Sequence, residues 1–172
     1  MAQPIKVYLG SSLFSHQEQL YNAYLADKIR KLCGNKVELY VPQENEEIND
    51  KTQYANSIDI YNGDMERLEQ SDILIALLDG VVVDPGLATE IGAFAMMKDK
   101  VIFGMYSDVR QGHYNNQNKL DALNQVAESQ FSYVNLFTIG AIKSNGRVVK
   151  TETELLELVR AEIEFRYNQL NK

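Results

Sequence analysis

Strand and helix signals alternate along the whole chain. Their meaning is fixed at one junction, where the apolar run Ile73-Leu74-Ile75-Ala76-Leu77-Leu78 leads into the turn Asp84-Pro85-Gly86-Leu87-Ala88-Thr89-Glu90, which opens a helical pattern. Strands alternating with helices imply a mostly parallel sheet covered on both faces, and such sheets form their ligand crevice at the carboxyl ends of the strands. The turn places two carboxylates, Asp84 and Glu90, at that position, which suggests chemistry on a small polar substrate. Two accounts of the pair stay open on this segment alone. Asp84 is a good N-cap, Pro85 suits the first helical position, and residues 86–98 read as a buried helix rich in Ala and Met. Capping does not explain Glu90, which lies about two turns into a largely apolar stretch where an unpaired carboxylate is costly to bury. A cap with a surface glutamate and a functional pair are both compatible with the pattern.

The alternation recurs on either side. Residues 5–9 read as a strand ending at Gly10-Ser11-Ser12, and residues 17–32 show helical spacing at Leu20, Tyr24, Ile29 and Leu32. Residues 37–41 read as a second strand closed by Pro42, and the polar run 43–47 as a loop. Residues 55–70 read as a helix carrying Ile58, Ile60, Tyr61, Met65 and Leu68, residues 73–78 as the third strand, and residues 101–106 as the fourth. Asp79-Gly80 is an ordinary turn signal. Beyond a polar stretch that becomes weakly helical over 118–127, Val134-Asn135-Leu136-Phe137 opens an apolar segment that Gly146 breaks. Val148-Val149 then reads as a short last strand. Thr151 with Glu154 forms a capping box before an amphipathic helix over 152–170. The expected fold is α/β, a single domain over residues 1–172. Its centre is a doubly wound, mostly parallel five-stranded sheet with helices on both faces, in the Rossmann/flavodoxin-like manner. Segments 8–12, 43–47 and 79–90 then converge at the crevice.

Composition narrows the partners. With 45% hydrophobic content, 172 residues can bury a sizeable core. The 17 Lys and Arg against 24 Asp and Glu leave a formal charge of −7, and the basic residues are scattered, which argues against nucleic acid or an anionic membrane as the main partner. No apolar run approaches the ~20 residues that span a bilayer. The lone Cys33 reads as a packing residue at a helix end, and the first residues lack a signal peptide's apolar core, so a reducing cytoplasm is the expected setting. His16 and His113 without clustered Cys give no zinc pattern, and no metal or cofactor is expected. Gly10-Ser11-Ser12 at a helix start suits a phosphate through its amides, but no Lys or Arg occurs between Lys6 and Lys28, and a plain Gly/Ser turn is the simpler account. There is no GxGxxG fingerprint, Walker lysine or G-x-S-x-G elbow. Asp64, in the run Tyr61-Asn62-Gly63-Asp64, reads first as part of a solvated helix face, and Tyr8 as a core or edge aromatic.

Val7-Tyr8-Leu9-Gly10 with Phe14, Tyr40-Val41-Pro42, Asp64, Asp84-x-Gly86-x-x-x-Glu90-x-Gly92 and Asn135-Leu136 together resemble the nucleoside 2-deoxyribosyltransferase family through most of the chain. The order and separation of Asp64, Asp84 and Glu90 are the specific part. The resemblance implies that Glu90 is a nucleophile that attacks the anomeric carbon of a 2′-deoxynucleoside and releases the nucleobase. A second nucleobase then takes the sugar from the vacated side, and two inversions give net retention. It further implies that Tyr8 holds and polarises Glu90, that Asp84 binds the sugar hydroxyl side, and that Asp64 exchanges a proton with the nucleobase. Gly10, Gln43 and Gly86 would contact the substrate, with Asn45 and Glu46 as other candidates in the loop after Pro42. Asn135 would reach into the pocket of a neighbouring subunit in a homo-oligomer. The implied partners are 2′-deoxynucleosides and free nucleobases, with no cofactor. These roles call for a raised pKa at Asp64 and an ionised Glu90. Two other readings fit the same scaffold. One is a 2′-deoxynucleoside 5′-monophosphate N-hydrolase, which needs a phosphate pocket, and the other is a non-catalytic nucleoside-binding module.

Overall fold

The structure is a computed structural model that describes residues 3–45, 56–111, 115–126 and 134–171. Its strands are β1 (Ile5–Gly10), β2 (Val37–Tyr40), β3 (Ile73–Leu77), β4 (Val101–Met105) and β5 (Gly146–Val149). They form a five-stranded sheet in the order β2-β1-β3-β4-β5, with every pair parallel. The α/β fold expected from the alternation is the one observed. From β1 the chain winds outward to β2, then returns to the other side of β1 to continue with β3. The carboxyl ends of β1 and β3 are therefore the point where the winding reverses and a crevice opens.

The helices are α1 (His16–Cys33), α2 (Ser57–Gln70), α3 (Pro85–Ala95), α4 (Gln117–Ala122), α5 (Leu136–Asn145) and α6 (Glu152–Leu170). Successive side chains of a strand point to opposite faces, so each strand feeds two cores. Ile5, Val7 and Leu9 of β1 pack with Ile73 and Ile75 against Leu25 and Ile29 of α1 and Leu155, Val159 and Ile163 of α6. Tyr8 points the other way, with Leu74, Ala76 and Ile102, onto Leu68 of α2, Leu87, Ile91 and Phe94 of α3 and Ile142 of α5. This parity puts Tyr8 on the side of the sheet where α2 and α3 carry Asp64 and Glu90. At the crevice end the Asp79 carboxylate accepts hydrogen bonds from the Ser107 backbone N–H and hydroxyl, each at 2.7 Å, lacing the ends of β3 and β4 together.

Several local readings are corrected. In α1 the expected apolar positions Leu20, Tyr24 and Leu32 are exposed, and the buried stripe is Asn22, Leu25, Ala26, Ile29 and Cys33. The helical period is unchanged but the face is rotated, because the stripe passes through a polar residue that an apolar pattern does not count. Gly146 ends the apolar segment as expected, as the C-cap of a helix, but it also begins the last strand, which the sequence placed only at Val148-Val149. Residues 136–145 form α5, and Gly146 starts β5 in extended backbone, φ 175°. A Cβ there would overlap the carbonyl oxygen of Ile102 on the neighbouring strand, so close approach of the strands is what requires glycine. The helix expected to run to Lys98 stops at Ala95, and the turn that follows contains Asp99 in the left-handed region, φ 60°. The weak helical signal over 118–127 corresponds to α4, capped by Asn116. Glu46, Glu47, Ala55, His113 and Ala127 lie outside the described residues.

Candidate active site

The site starts with Tyr8, fully buried in the middle of β1, whose hydroxyl donates a 2.8 Å hydrogen bond to Oε1 of Glu90 on α3. Two glycines let this bond form. A Cβ on Gly10, the last residue of β1, would lie 2.6 Å from Leu87 Cδ1 and 3.2 Å from Glu90 Oε2, so a bare backbone is what allows α3 to close on the strand end. A Cβ on Gly86 would lie 3.0 Å from Asp84 Oδ1, crowding the side chain that starts the helix. Asp84 is the N-cap, its Oδ1 accepting from the Leu87 N–H at 2.9 Å. The capping account of Asp84 is therefore right in part, since the same carboxylate also faces the crevice.

The crevice is a cavity of about 640 Å³, a size suited to a small organic ligand. Ser11 and Phe14 line it from the β1–α1 loop, Tyr40 and Gln43 from the end of β2, Ile60 and Asp64 from α2, and Asp84, Gly86 and Glu90 from α3. Asp64 is thus not on a fully solvated helix face. Its neighbour Ile60, one turn earlier, shares the wall, a pairing that the spacing of four on one helix contains. The described walls carry three carboxylates and no Lys or Arg, an acidic site that favours a cationic or proton-accepting ligand group over a phosphate. The two amides just before α1 are also occupied, because Glu18 Oε2 accepts from the Phe14 and Ser15 N–H groups at 3.0 and 2.7 Å. Among the described residues no group of three or more His, Cys, Asp or Glu side chains is placed to hold a metal.

Burial pushes the Glu90 carboxyl up to about 7, with the charges of Asp64 and Asp84 adding to the rise and the Tyr8 hydrogen bond opposing it. This rise runs against the expectation of a simply ionised Glu90, and burial in the crevice is its main cause. Burial, followed by the Glu90 and Asp64 charges, holds Tyr8 far above the ordinary phenol value, so it remains a neutral donor. Burial also raises Asp64 above the usual aspartate value, the direction expected from the sequence. Tyr40 packs its ring 5.2 Å from that of Tyr8 and accepts a 3.1 Å hydrogen bond from the Asn45 amide.

Asn135 is not brought to this cavity. Its side-chain oxygen caps α5, accepting from the Phe137 and Thr138 N–H groups at 2.9 and 3.3 Å, and Leu136 and Phe137 beside it are 83% and 85% exposed. Gln43 is in the wall, whereas Asn45 acts on Tyr40 and Glu46 is outside the described residues. Asn22, missed in the sequence, is buried behind Gln43 and donates to it. The available signal was its place in a stripe of spacing three and four.

Residues 7–126 match the family described as nucleoside 2-deoxyribosyltransferase. The chain is similar to a conserved protein of known crystal structure from Enterococcus faecalis V583, with 47% identity, a TM-score of 0.87 and coverage of 93% of this chain and 99% of that one. It shares its fold with the 2-deoxyribosyltransferase of Bacillus psychrosaccharolyticus, at 16% identity and a TM-score of 0.60 over 92% and 95% of the two chains. No curated protein matches its sequence. Among the described residues no helix is long and apolar enough to cross a membrane.

Proposed function

Because the chain belongs to the nucleoside 2-deoxyribosyltransferase family, whose members are nucleoside-modifying enzymes, we propose that it moves the 2-deoxyribosyl group of a 2′-deoxynucleoside from one nucleobase to another through an ester on Glu90. The observation that carries this reading is a buried carboxylate, gripped by a neutral tyrosine hydroxyl, in one cavity with two further carboxylates. In the first step a Glu90 oxygen bonds to C1′ as the C1′–N bond breaks. The bond's electron pair leaves with the nucleobase, which takes a proton from Asp64. In the second step a nitrogen of the incoming base bonds to C1′ from the vacated face, the ester oxygen leaves as the Glu90 carboxylate, and the proton returns to Asp64. Each step inverts C1′, so the configuration is retained overall. Positive charge builds at C1′ in both steps, and an adjacent anion in a partly dry site stabilises it.

Tyr8 keeps one carboxylate oxygen engaged and leaves the other to react. Asp84, already holding the helix start, offers its remaining lone pairs to the sugar hydroxyls, and Gln43 meets the base. Asn135, with the exposed Leu136 and Phe137, supplies the site of an adjacent subunit in a homo-oligomer. Incubation with thymidine plus adenine tests the reading. Deoxyadenosine and thymine are the expected products, and a protein that instead cleaves only the deoxynucleoside 5′-monophosphate to free base is a hydrolase.

The ionisation of Glu90 gives a pH signature. The nucleophile must be ionised, so kcat/KM should rise from the acid side with an apparent value near the free enzyme's, about 7. Tyr8→Phe removes the hydrogen bond that favours the ionised form, so the acid limb should move to higher pH. The loss relative to the parent should be larger at about pH 6 than at about pH 9. An acid limb that stays in place when Tyr8 is changed contradicts the role given to this bond.

A further inference from the structure

Asn22 is 2% exposed on the buried stripe of α1, an expensive place for an amide unless its polar atoms are satisfied. Its Nδ2 donates to the Ser12 carbonyl oxygen and to Gln43 Oε1, both at 3.0 Å. Gln43 Nε2 in turn donates to the Gln19 carbonyl oxygen at 3.0 Å. A backbone carbonyl only accepts, so the two at the ends fix the polarity of everything between them. Asn22 must turn its nitrogen towards Ser12, and Gln43 must therefore turn its oxygen towards Asn22 and its nitrogen towards Gln19. One N–H and one lone pair of the Gln43 amide are thus committed, one of each is left, and Gln43 lines the cavity. A primary amide whose oxygen and nitrogen are held in known places offers a fixed donor and a fixed acceptor, the kind of group that reads a nucleobase edge.

We infer that Asn22 is the positioning residue for nucleobase discrimination. By locking the Gln43 amide in one of its two orientations, it makes the cavity accept bases whose acceptor and donor follow the matching order and disfavour those with the reverse order. Without it the amide can flip, at the expense of the Gln19 bond, and present either order. The inference rests on the nucleoside reading of the site but not on turnover.

Equilibrium binding of adenine, hypoxanthine, cytosine and thymine tests it, with the melting temperature followed in parallel. The proteins compared are the parent, Gln43→Ala, Asn22→Ala, Asn22→Asp and the Asn22→Ala/Gln43→Ala double variant. The parent should rank the bases, and each single variant should compress the ratio of best to worst Kd by about fivefold or more, the size of one orienting hydrogen bond. The double variant should compress it no further than Gln43→Ala alone, because Asn22 acts through Gln43. Asn22→Asp keeps the volume but presents only acceptors to Gln43, so it should pull the amide towards the flipped order and compress the ratio at least as much as Asn22→Ala. Asn22 variants that melt lower but keep the parent's ratio overturn the inference, and so does a double variant that compresses the ratio by the product of the two singles. Should neither Asn22 variant fold, Gln43→Ala decides, and a base preference that survives in it overturns the inference. A parent that binds bases without ranking them sinks this inference alone, whereas a parent that binds no nucleobase sinks the transferase reading as well.

Discussion

Glu90→Ala should abolish base exchange, lowering turnover by about four orders of magnitude or more, because it removes the atom that bonds to the sugar rather than a group that assists it. The parent, incubated with deoxyinosine, should gain the mass of one deoxyribosyl unit on the peptide containing Glu90, and the variant should not. Residual exchange within about tenfold of the parent would mean that another group attacks C1′. The variant should still fold, since Glu90 lines a cavity and is not part of either packed core. The neutral isostere gives a sharper result. In the folded protein Glu90 keeps its proton up to about 7, while a free carboxyl ionises near 4.5. Between those values the folded state binds more protons than the unfolded one, so this group makes stability fall as pH rises through the window, and the penalty is complete above it. Glu90→Gln never ionises and can still accept the Tyr8 hydrogen bond. It should melt above the parent at about pH 8 and level with it near pH 4, which differential scanning calorimetry can measure. A glutamine variant that melts below the parent at the higher pH would show that burial does not set the ionisation of this group. A glutamine variant that melts above the parent there shows a nucleophile held at the expense of stability, as functional groups often are.

Gly146→Ala should cost about 3 kcal/mol or more of folding stability, read as a fall in the denaturant midpoint with little change in slope. The added carbon would overlap the Ile102 carbonyl at the start of the β4–β5 pairing, where backbone and not a flexible side chain must move. The strain would fall on the strand that carries Met105 and Tyr106 towards the crevice end of the sheet. Gly140→Ala is the matched control. It lies in the interior of α5 with nothing within 4 Å of an added carbon, so the same substitution should be neutral or stabilising by up to about 1 kcal/mol. Equal effects at the two positions would remove the case for close strand approach at Gly146.

The sequence alone determined the layer architecture and the identity of the carboxylates. Short apolar runs alternating with helical periods leave a parallel sheet with two covered faces as the arrangement that buries them all, and Asp84 and Glu90 follow the third strand wherever its helix begins. Capping boxes at Ser15 with Glu18 and at Thr151 with Glu154 are local hydrogen-bond chemistry, and the second was readable from the spacing. What the sequence could not decide depends on residues far apart in the chain. Tyr8 is an ordinary strand aromatic until the parity of β1 turns it towards α3 and Gly10 lets Glu90 approach, over a separation of 82 residues. The upward pull on the Glu90 pKa comes from burial and from neighbouring carboxylates that meet in the folded crevice, which a sequence window does not show. The buried face of α1 was misread because hydrophobicity does not register an asparagine whose donors are satisfied by a loop and a second strand end. Gly146 was legible as the end of the apolar segment but not as the start of a strand, because its neighbour across the sheet, Ile102, is absent from any local window. Periodicity records which side chains avoid water, whereas contacts between backbone segments and the field at a buried charge exist only once the strands have been placed side by side.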